Sequence, residues 1–391
     1  MDQPRVVIVG GGFAGLLAAQ KLRGAKARCV LVSESDSFVE RVRFHEVAAG
    51  RPVARHSIPG MLARTGVEFR QARVEALDLA RREVLTASGR IAYDHLFYAL
   101  GSSVDLDRVA GARQHATSVA SEEEARRLQV RLRALTDGAR VAVCGGGLTA
   151  IELASEIAEA FPRLDVSLIT QGQIGPGLSL RGRAFVRRSL RDLGVGITEE
   201  VTISRVRTSR LVTSTRREIP CELCVMAASF RVSPIAATAG LATRGGQVLV
   251  DETLRSLSHP EVFAAGDAAI PALEPGAPIR MGCATAMPMA AIAAANLRAL
   301  LDGGRMVDFG FRYLAQFVSL GRKNALAQIT RGDDTPRDFI LTGRLAAWLK
   351  DLTFRYNLRG LRGGWYPYPS RMLAPRRPEL AAADGPRQLP R

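Results

Sequence analysis

Gly10, Gly12 and Gly15 stand in the spacing G-x-G-x-x-G, directly after the apolar run Arg5–Val9 and before a stretch with apolar residues at helical spacing. Each glycine answers a separate need. Gly10 permits a tight turn, Gly12 lets the backbone approach a pyrophosphate, and Gly15 lets a helix pack close to the strand. The pyrophosphate then rests on unpaired N–H groups at a helix N-terminus, equivalent to roughly half a positive charge. Glu34 follows Gly15 by nineteen residues, at the end of the next apolar run, where a carboxylate can accept both hydroxyls of a ribose.

The pattern recurs about 135 residues later as Gly145, Gly147 and Ala150, the G-x-G-x-x-A form. Its second strand ends at Thr170 and Gln171 with no acid, and no Arg precedes Arg181 to pair a 2′-phosphate. The choice between NADH and NADPH stays open. Two dinucleotide sites in one chain imply a flavin and a nicotinamide working together, one passing hydride to the other. A late segment, Phe263-Ala264-Ala265-Gly266-Asp267, reads as a strand ending in a glycine and an acid. Such an Asp can hold the ribityl hydroxyls of FAD. The helix that follows would aim its positive end at the flavin ring, worth roughly 0.3–2 kcal/mol to the reduced anion.

Other candidates surround these turns. Glu152 lies two residues after Ala150, in the first turns of the second site's helix. Arg41, Arg43 and His45 alternate, so an extended strand would put them on one face, either beside a ligand or as a basic surface strand. Cys221 and Cys224 form the sole CxxC, with no second Cys/His pair nearby, and read as structural. His56, His95, His115 and His259 lack metal-ligand spacing and read as surface residues. No metal site is expected. Hydride transfer between rings needs stacking and exclusion of water, so it asks for no acid–base pair.

With GGGFAG and Glu34, YDHLFYALG (Tyr93–Gly101), GGGLTAIE and VFAAGDAA in this order, the chain resembles FAD-dependent pyridine-nucleotide oxidoreductases of the two-Rossmann type. Within them it is most similar to the type II NADH dehydrogenase-like and apoptosis-inducing-factor-like branch. SDSFVERVRFHEVAAG, the spacing at Leu178–Leu190 and SLGRKNALAQ are similar to that branch, and the resemblance covers about residues 5–370. It implies an α/β glutathione-reductase-like fold with two Rossmann-type dinucleotide-binding domains plus a C-terminal α+β segment. The expected division is 1–108 and 240–307 for FAD, 109–239 for NAD(P), 308–373 as an interface or membrane-facing segment, and 374–391 as an unfolded tail. FAD is expected at Gly10, Gly12, Phe13, Ala14, Gly15, Ser33, Glu34, Arg41, Arg43, Val74, Ala99, Gly101, Gly266, Asp267 and Met287. NAD(P) is expected at Gly145, Gly147, Leu148, Thr149, Glu152 and Thr170. Glu152 and Arg43 are the candidate catalytic residues. By the resemblance, Glu152 lies near the nicotinamide ring, and the Arg41–His45 segment skirts the flavin, where a cation stabilises the reduced anion.

Departures bear on the acceptor. Phe38–Gly50 lacks the CxxxxC pair of disulfide reductases, and Ala99-Leu100-Gly101 stands where the family carries A-T-G. The run Gly282–Pro288 lacks the Gln that lines the quinone slot of type II NADH dehydrogenases. The leading expectation is hydride transfer from NAD(P)H to flavin and on to a quinone-like or other small acceptor. One alternative is a flavoenzyme acting directly on a specialised metabolite; another is a non-enzymatic redox-responsive flavoprotein.

These residues must be carried by strand–turn–helix–strand units, and the sequence spells two of them: RVVIV to CVLVS, and RVAVC to VSLIT. The 391 residues leave room for two or three domains. Lys+Arg 54 against Asp+Glu 38 gives +16, which first suggests nucleic acid or a membrane surface. Only four of those cations are Lys, and the rest are Arg scattered along the chain, with no nucleic-acid-binding module. Five widely spaced cysteines and an N-terminus opening directly into a strand point to a reducing cytoplasm. Cys283–Leu301, the longest apolar run, contains Pro288, Asn296 and Arg298 and reads as a buried helix. The basic amphipathic stretch Arg344–Leu361 suits a helix packed on its own domain or on a second copy, and the protein is expected as monomer or homodimer. By the resemblance, residues 344–368 can also make a peripheral contact with the inner face of a membrane.

Overall fold

The computed structural model describes residues 3–271 and 279–364. The expected tail at 374–391, and the parts of the C-terminal segment beyond residue 364, lie outside the described residues.

Two parallel five-stranded sheets organise the chain, and they share one plan. The first runs Val262–Ala264, His95–Tyr98, Arg5–Val9, Arg28–Ser33, Glu68–Gln71. The second runs Ala116–Thr117, Leu223–Met226, Arg140–Cys144, Asp165–Ile169, Gly196–Thr198. In each, the strand entering the glycine turn sits at the centre, covered on both faces, which is why its residues are continuously apolar. Helix Phe13–Lys21 is buried along nearly its whole length, packed between the first sheet and helix Cys283–Asp302. That latter helix is long and apolar enough to cross a membrane, but most of it lies inside the protein core. Its Ala-rich surface allows a close approach to helix Phe13–Lys21, which itself carries Ala14, Gly15, Ala18 and Ala19.

The chain crosses between the sheets twice, and the crossings pair with each other: Ser102–Val104 runs antiparallel to Phe230–Val232. Beyond Asp308 the expected hairpin is present as strands Ala325–Thr330 and Pro336–Thr342, joined by Ala315–Ser319 into an antiparallel sheet. Helix Gly343–Gly363 lies on this sheet through Ala346 and reaches the first core through Leu361.

Two local expectations are corrected. Arg41–Arg43 is a single 3-10 turn and Phe44–Ala48 an α-helix, so Arg41, Arg43 and His45 share no strand face. Helical spacing wins here: Arg43 pairs with Glu40 and Glu46, each three residues away, and Phe44, Val47 and Ala48 turn together into the core of the second half. The other correction concerns Asp267. A short strand, Ala269–Pro271, follows it, so the apolar helix begins only at Cys283, although it still packs on the Gly266–Ala268 turn.

Candidate functional site

The first glycine turn is built by backbone contact. Gly10 N–H donates to the Val32 carbonyl at 2.9 Å, and Ala99 N–H to the Val9 carbonyl at 2.9 Å. Gly10 has φ +107°, and a Cβ there would lie 2.2 Å from the Ala99 oxygen. A Cβ on Gly15 would lie 1.8 Å from the Gly10 oxygen. Gly12 differs. It begins helix Phe13–Lys21 without any side-chain cap, and a Cβ on it would meet nothing within 4 Å. Two glycines therefore serve packing and the third opens the helix N-terminus outward, as a dinucleotide pyrophosphate requires.

Of the other expected FAD residues, Ser33 and Glu34 stand at the carboxyl end of Arg28–Ser33, Ala99 follows His95–Tyr98 and Gly266 follows Val262–Ala264, all strands of the first sheet. Ser33 is buried beneath the turn, and the Glu34 side chain beyond it is 72% exposed beside Arg73. Phe13, Ala14, Val74, Ala99 and Met287 are buried in the first core. Gly266 brings three segments together, since a Cβ on it would lie 3.2 Å from the Ala14 Cβ and 3.4 Å from the Ala286 Cβ. Gly101 takes φ +68° just before Ser102. Asp267 accepts a 2.6 Å hydrogen bond from Ser102 Oγ, and its Oδ2 is 3.9 Å from Arg41 Nη1. Arg41 also donates to the Ser102 carbonyl at 2.6 Å and lies 5.6 Å from the Phe230 ring centroid. Ser102 carries no motif and was not singled out by sequence.

The second turn repeats the first. Gly145 N–H donates to the Ile169 carbonyl at 2.8 Å and Ala227 N–H to the Cys144 carbonyl at 2.9 Å. Gly147 begins helix Leu148–Ala160 with no side-chain cap, and a Cβ on it would meet nothing within 4 Å. Leu148 and Thr149 are half-buried in the first turn, and Thr170 is buried below it.

Arg43 takes another direction from Arg41. Its guanidinium bonds Glu40 at 3.2 Å, Glu46 at 2.9 Å and Asp351 of helix Gly343–Gly363 at 2.6 Å. Arg41 thus faces Asp267, while Arg43 is engaged by three carboxylates.

Glu152 sits at a meeting of three segments. Lys350, from the C-terminal helix, donates to Glu152 Oε1 and to Ser319 Oγ. Ser319 N–H donates to Glu152 Oε1 at 3.0 Å. His45 Nδ1 is 3.8 Å from Glu152 Oε2, and His45 Nε2 is buried with no hydrogen-bond partner. Burial alone would raise the Glu152 carboxyl, but the charge of Lys350 and the hydrogen bonds from Lys350 and Ser319 hold it below the usual carboxylate range. Burial drives His45 down to about 4, so its imidazole is neutral at pH 7. Lys350 and Ser319 escaped the sequence reading. No local pattern marks either residue, because both take their role from Glu152, 198 and 167 positions away.

Cys221 and Cys224 lie in an apolar cluster beneath the second sheet, with Cys224 Sγ 3.8 Å from Cys144 Sγ. Burial pushes the Cys221 thiol up to about 12. His95 and His56 are half-buried and His115 exposed.

With this geometry in place, four likenesses are informative. The family described as "Pyridine nucleotide-disulphide oxidoreductase" matches residues 4–295. Demethylphylloquinone reductase NdbB of Synechocystis is 26% identical over 348 residues, spanning 83% of this chain and 86% of its own. NADH dehydrogenase-like protein Rv1812c of Mycobacterium tuberculosis is 31% identical over 321 residues, spanning 75% of this chain and 80% of its own. Among solved structures, the sulfide:quinone oxidoreductase of Aquifex aeolicus is similar at a TM-score of 0.78 and 20% identity, covering 92% of each chain.

Proposed function

Because the chain belongs to the pyridine nucleotide-disulphide oxidoreductase family, we propose that it is an FAD-dependent oxidoreductase taking hydride from NADH or NADPH and passing electrons to a quinone. The observation that carries this reading is the pair of matching glycine turns, each with an uncapped, outward-open helix N-terminus at the carboxyl end of a parallel sheet. FAD, when bound, supplies the redox chemistry of hydride acceptance and electron release.

The chain's own residues hold and orient. Backbone N–H groups after Gly12 receive one pyrophosphate and those after Gly147 the other. Glu34 takes ribose hydroxyls, and Asp267, fixed by Ser102 and balanced by Arg41, takes polyol hydroxyls. Arg41 adds a cation where negative charge develops on reduction. Glu152 stays ionised beside Lys350, and the pair can hold or pass a proton between carboxylate and ammonium. In domain terms, residues 1–108 and 240–307 form the FAD half, 109–239 the NAD(P) half, and 308–364 the described part of the C-terminal segment.

A relative named for a quinone reductase favours a quinone over a specialised metabolite as acceptor. Helix Gly343–Gly363 supports a peripheral membrane contact: its inner face is buried through Ala346, Lys350 and Leu361, and Leu345, Trp348, Leu352 and Tyr356 are exposed on the outer face.

Anaerobic stopped-flow mixing of the flavin-loaded protein with each nucleotide, followed by quinone, tests the function. The flavin absorbance should bleach with NADH or NADPH and return with quinone. If flavin copurifies and neither nucleotide bleaches it, the reading fails.

A further inference from the structure

The two turns can be aligned by contact, residue against residue. Gly10 N–H bonds the Val32 carbonyl and Gly145 N–H the Ile169 carbonyl, at 2.9 and 2.8 Å. A Cβ on Gly11 would lie 2.4 Å from Ser33 Oγ, and one on Gly146 would lie 2.5 Å from Thr170 Oγ1. Ser33 and Thr170 therefore hold the same station, and the next station, which Glu34 fills in the first site, is filled by Gln171 in the second. Gln171 is exposed and uncharged. A carboxylate at this station accepts a ribose 2′-hydroxyl and repels a 2′-phosphate, whereas a carboxamide repels neither.

The surrounding charges point the same way. Glu199, at the end of the neighbouring strand Gly196–Thr198, is neutralised: Arg187 bonds both its oxygens at 2.5 and 2.8 Å, and Ile174 N–H bonds Oε1 at 2.7 Å. Arg183, one helical turn before Arg187, donates instead to the neutral side chain of Gln173, two residues beyond Gln171. Its Nε is buried with no hydrogen-bond partner. A guanidinium bonded to a neutral carboxamide thus stands beside the turn where the adenosine ribose of a second-site nucleotide would end. A phosphate dianion takes such a planar fork well.

We propose that the second site takes a nucleotide carrying a 2′-phosphate, with Gln171 the specificity-determining position and Arg183 the cation that pairs with the phosphate. This rests on reading the Gly145–Thr170 turn as the nicotinamide-nucleotide site.

The test is titration calorimetry on the flavin-loaded full chain with two probes, adenosine 2′,5′-bisphosphate and 5′-AMP. The bisphosphate should bind at least about tenfold more tightly. Gln171→Glu should weaken it by at least about tenfold and leave 5′-AMP bound no more weakly than before, and Arg183→Gln should likewise weaken the bisphosphate alone. In steady state, Gln171→Glu should raise the ratio of the KM for NADPH to the KM for NADH. Equal binding of both probes to the unaltered protein overturns the inference while leaving the nucleotide site standing. So does a preference that moves with Glu200→Gln, on the exposed adjoining turn, and not with Gln171→Glu. If neither probe binds and neither nucleotide reduces the flavin, the site reading falls, and this inference with it.

Discussion

Arg43 Nη2 lies 2.6 Å from Asp351 Oδ1, joining residues 308 positions apart in the chain. The contact ties the helix that follows Glu40 to the C-terminal helix, and Phe354 backs it at 5.3 Å from the guanidinium. Asp351 is 38% exposed and Arg43 keeps Glu40 and Glu46, so Asp351→Asn should cost up to about 1 kcal/mol of stability. Urea unfolding of the single and double variants checks this. Arg43→Ala with Asp351→Asn should cost less than the sum of the two singles, and strict additivity would show the pair to be idle.

The buried Lys350–Glu152 pair gives a larger effect. Lys350→Met leaves the Glu152 charge buried without its main compensation and should cost about 3–5 kcal/mol. Adding Glu152→Gln removes that charge and should restore a substantial part of the loss. A double variant as unstable as Lys350→Met alone would contradict this account.

Acid titration carries two opposed signals. His45 moves from 6.5 down to about 4 on folding, so between these values the unfolded chain binds more protons and stability falls as pH falls. Glu156 moves from 4.5 up to about 7, driven by burial against the pull of Arg51. In its window the folded chain binds more protons, and stability falls as pH rises. The two largely mask each other in the unaltered protein. His45→Gln should therefore expose a loss of stability from pH 4.5 to pH 6.5, and Glu156→Gln the reverse slope, measured by urea unfolding across that range.

The glycines of the first turn should separate folding from binding. At Gly10 a methyl group collides with the Ala99 carbonyl, so Gly10→Ala should lower Tm and yield of folded protein. At Gly12 the backbone is extended, with φ −84° and ψ −166°, and the space is open. Gly12→Ala should keep Tm of the flavin-free protein and lower the flavin content of the purified protein, read as the ratio of flavin to protein absorbance.

On the exposed face of the C-terminal helix, Trp348→Ser with Leu352→Ser should abolish cosedimentation with anionic phospholipid vesicles. The rate of flavin reduction by nucleotide in solution should stay the same, because neither side chain reaches the glycine turns. Undiminished cosedimentation would remove this face as the membrane contact.

The parts of the site legible in the sequence are those dictated by local backbone demands. Gly10, Gly12, Gly15 and Glu34 belong to one strand–turn–helix–strand unit, and the structure places them as their spacing requires. Arg41, Arg43 and His45 misled because alternation and helical spacing coexist in those five residues. The decision came from Glu40, Glu46 and the core of the other half, which no local pattern displays. Lys350, Ser319, Asp351 and Ser102 were invisible for a related reason. Each acquires its meaning from a partner brought over 165 to 308 residues away, or 31 in the case of Lys350 and Ser319. Gln171 was read as a missing acid, and only the matching contacts of Gly11 and Gly146 gave it a defined station.

The ribbon of Ser102–Val104 with Phe230–Val232 has a consequence for how the molecule assembles. Everything between those strands leaves and rejoins the rest of the chain at one seam, with its two ends only about 5 Å apart. To the first sheet, the middle of the sequence is one long loop tied off at its neck. Closing such a loop costs entropy that grows only logarithmically with its length. Strand Val262–Ala264 can therefore find His95–Tyr98 at a small penalty, however much sequence has been spliced between them.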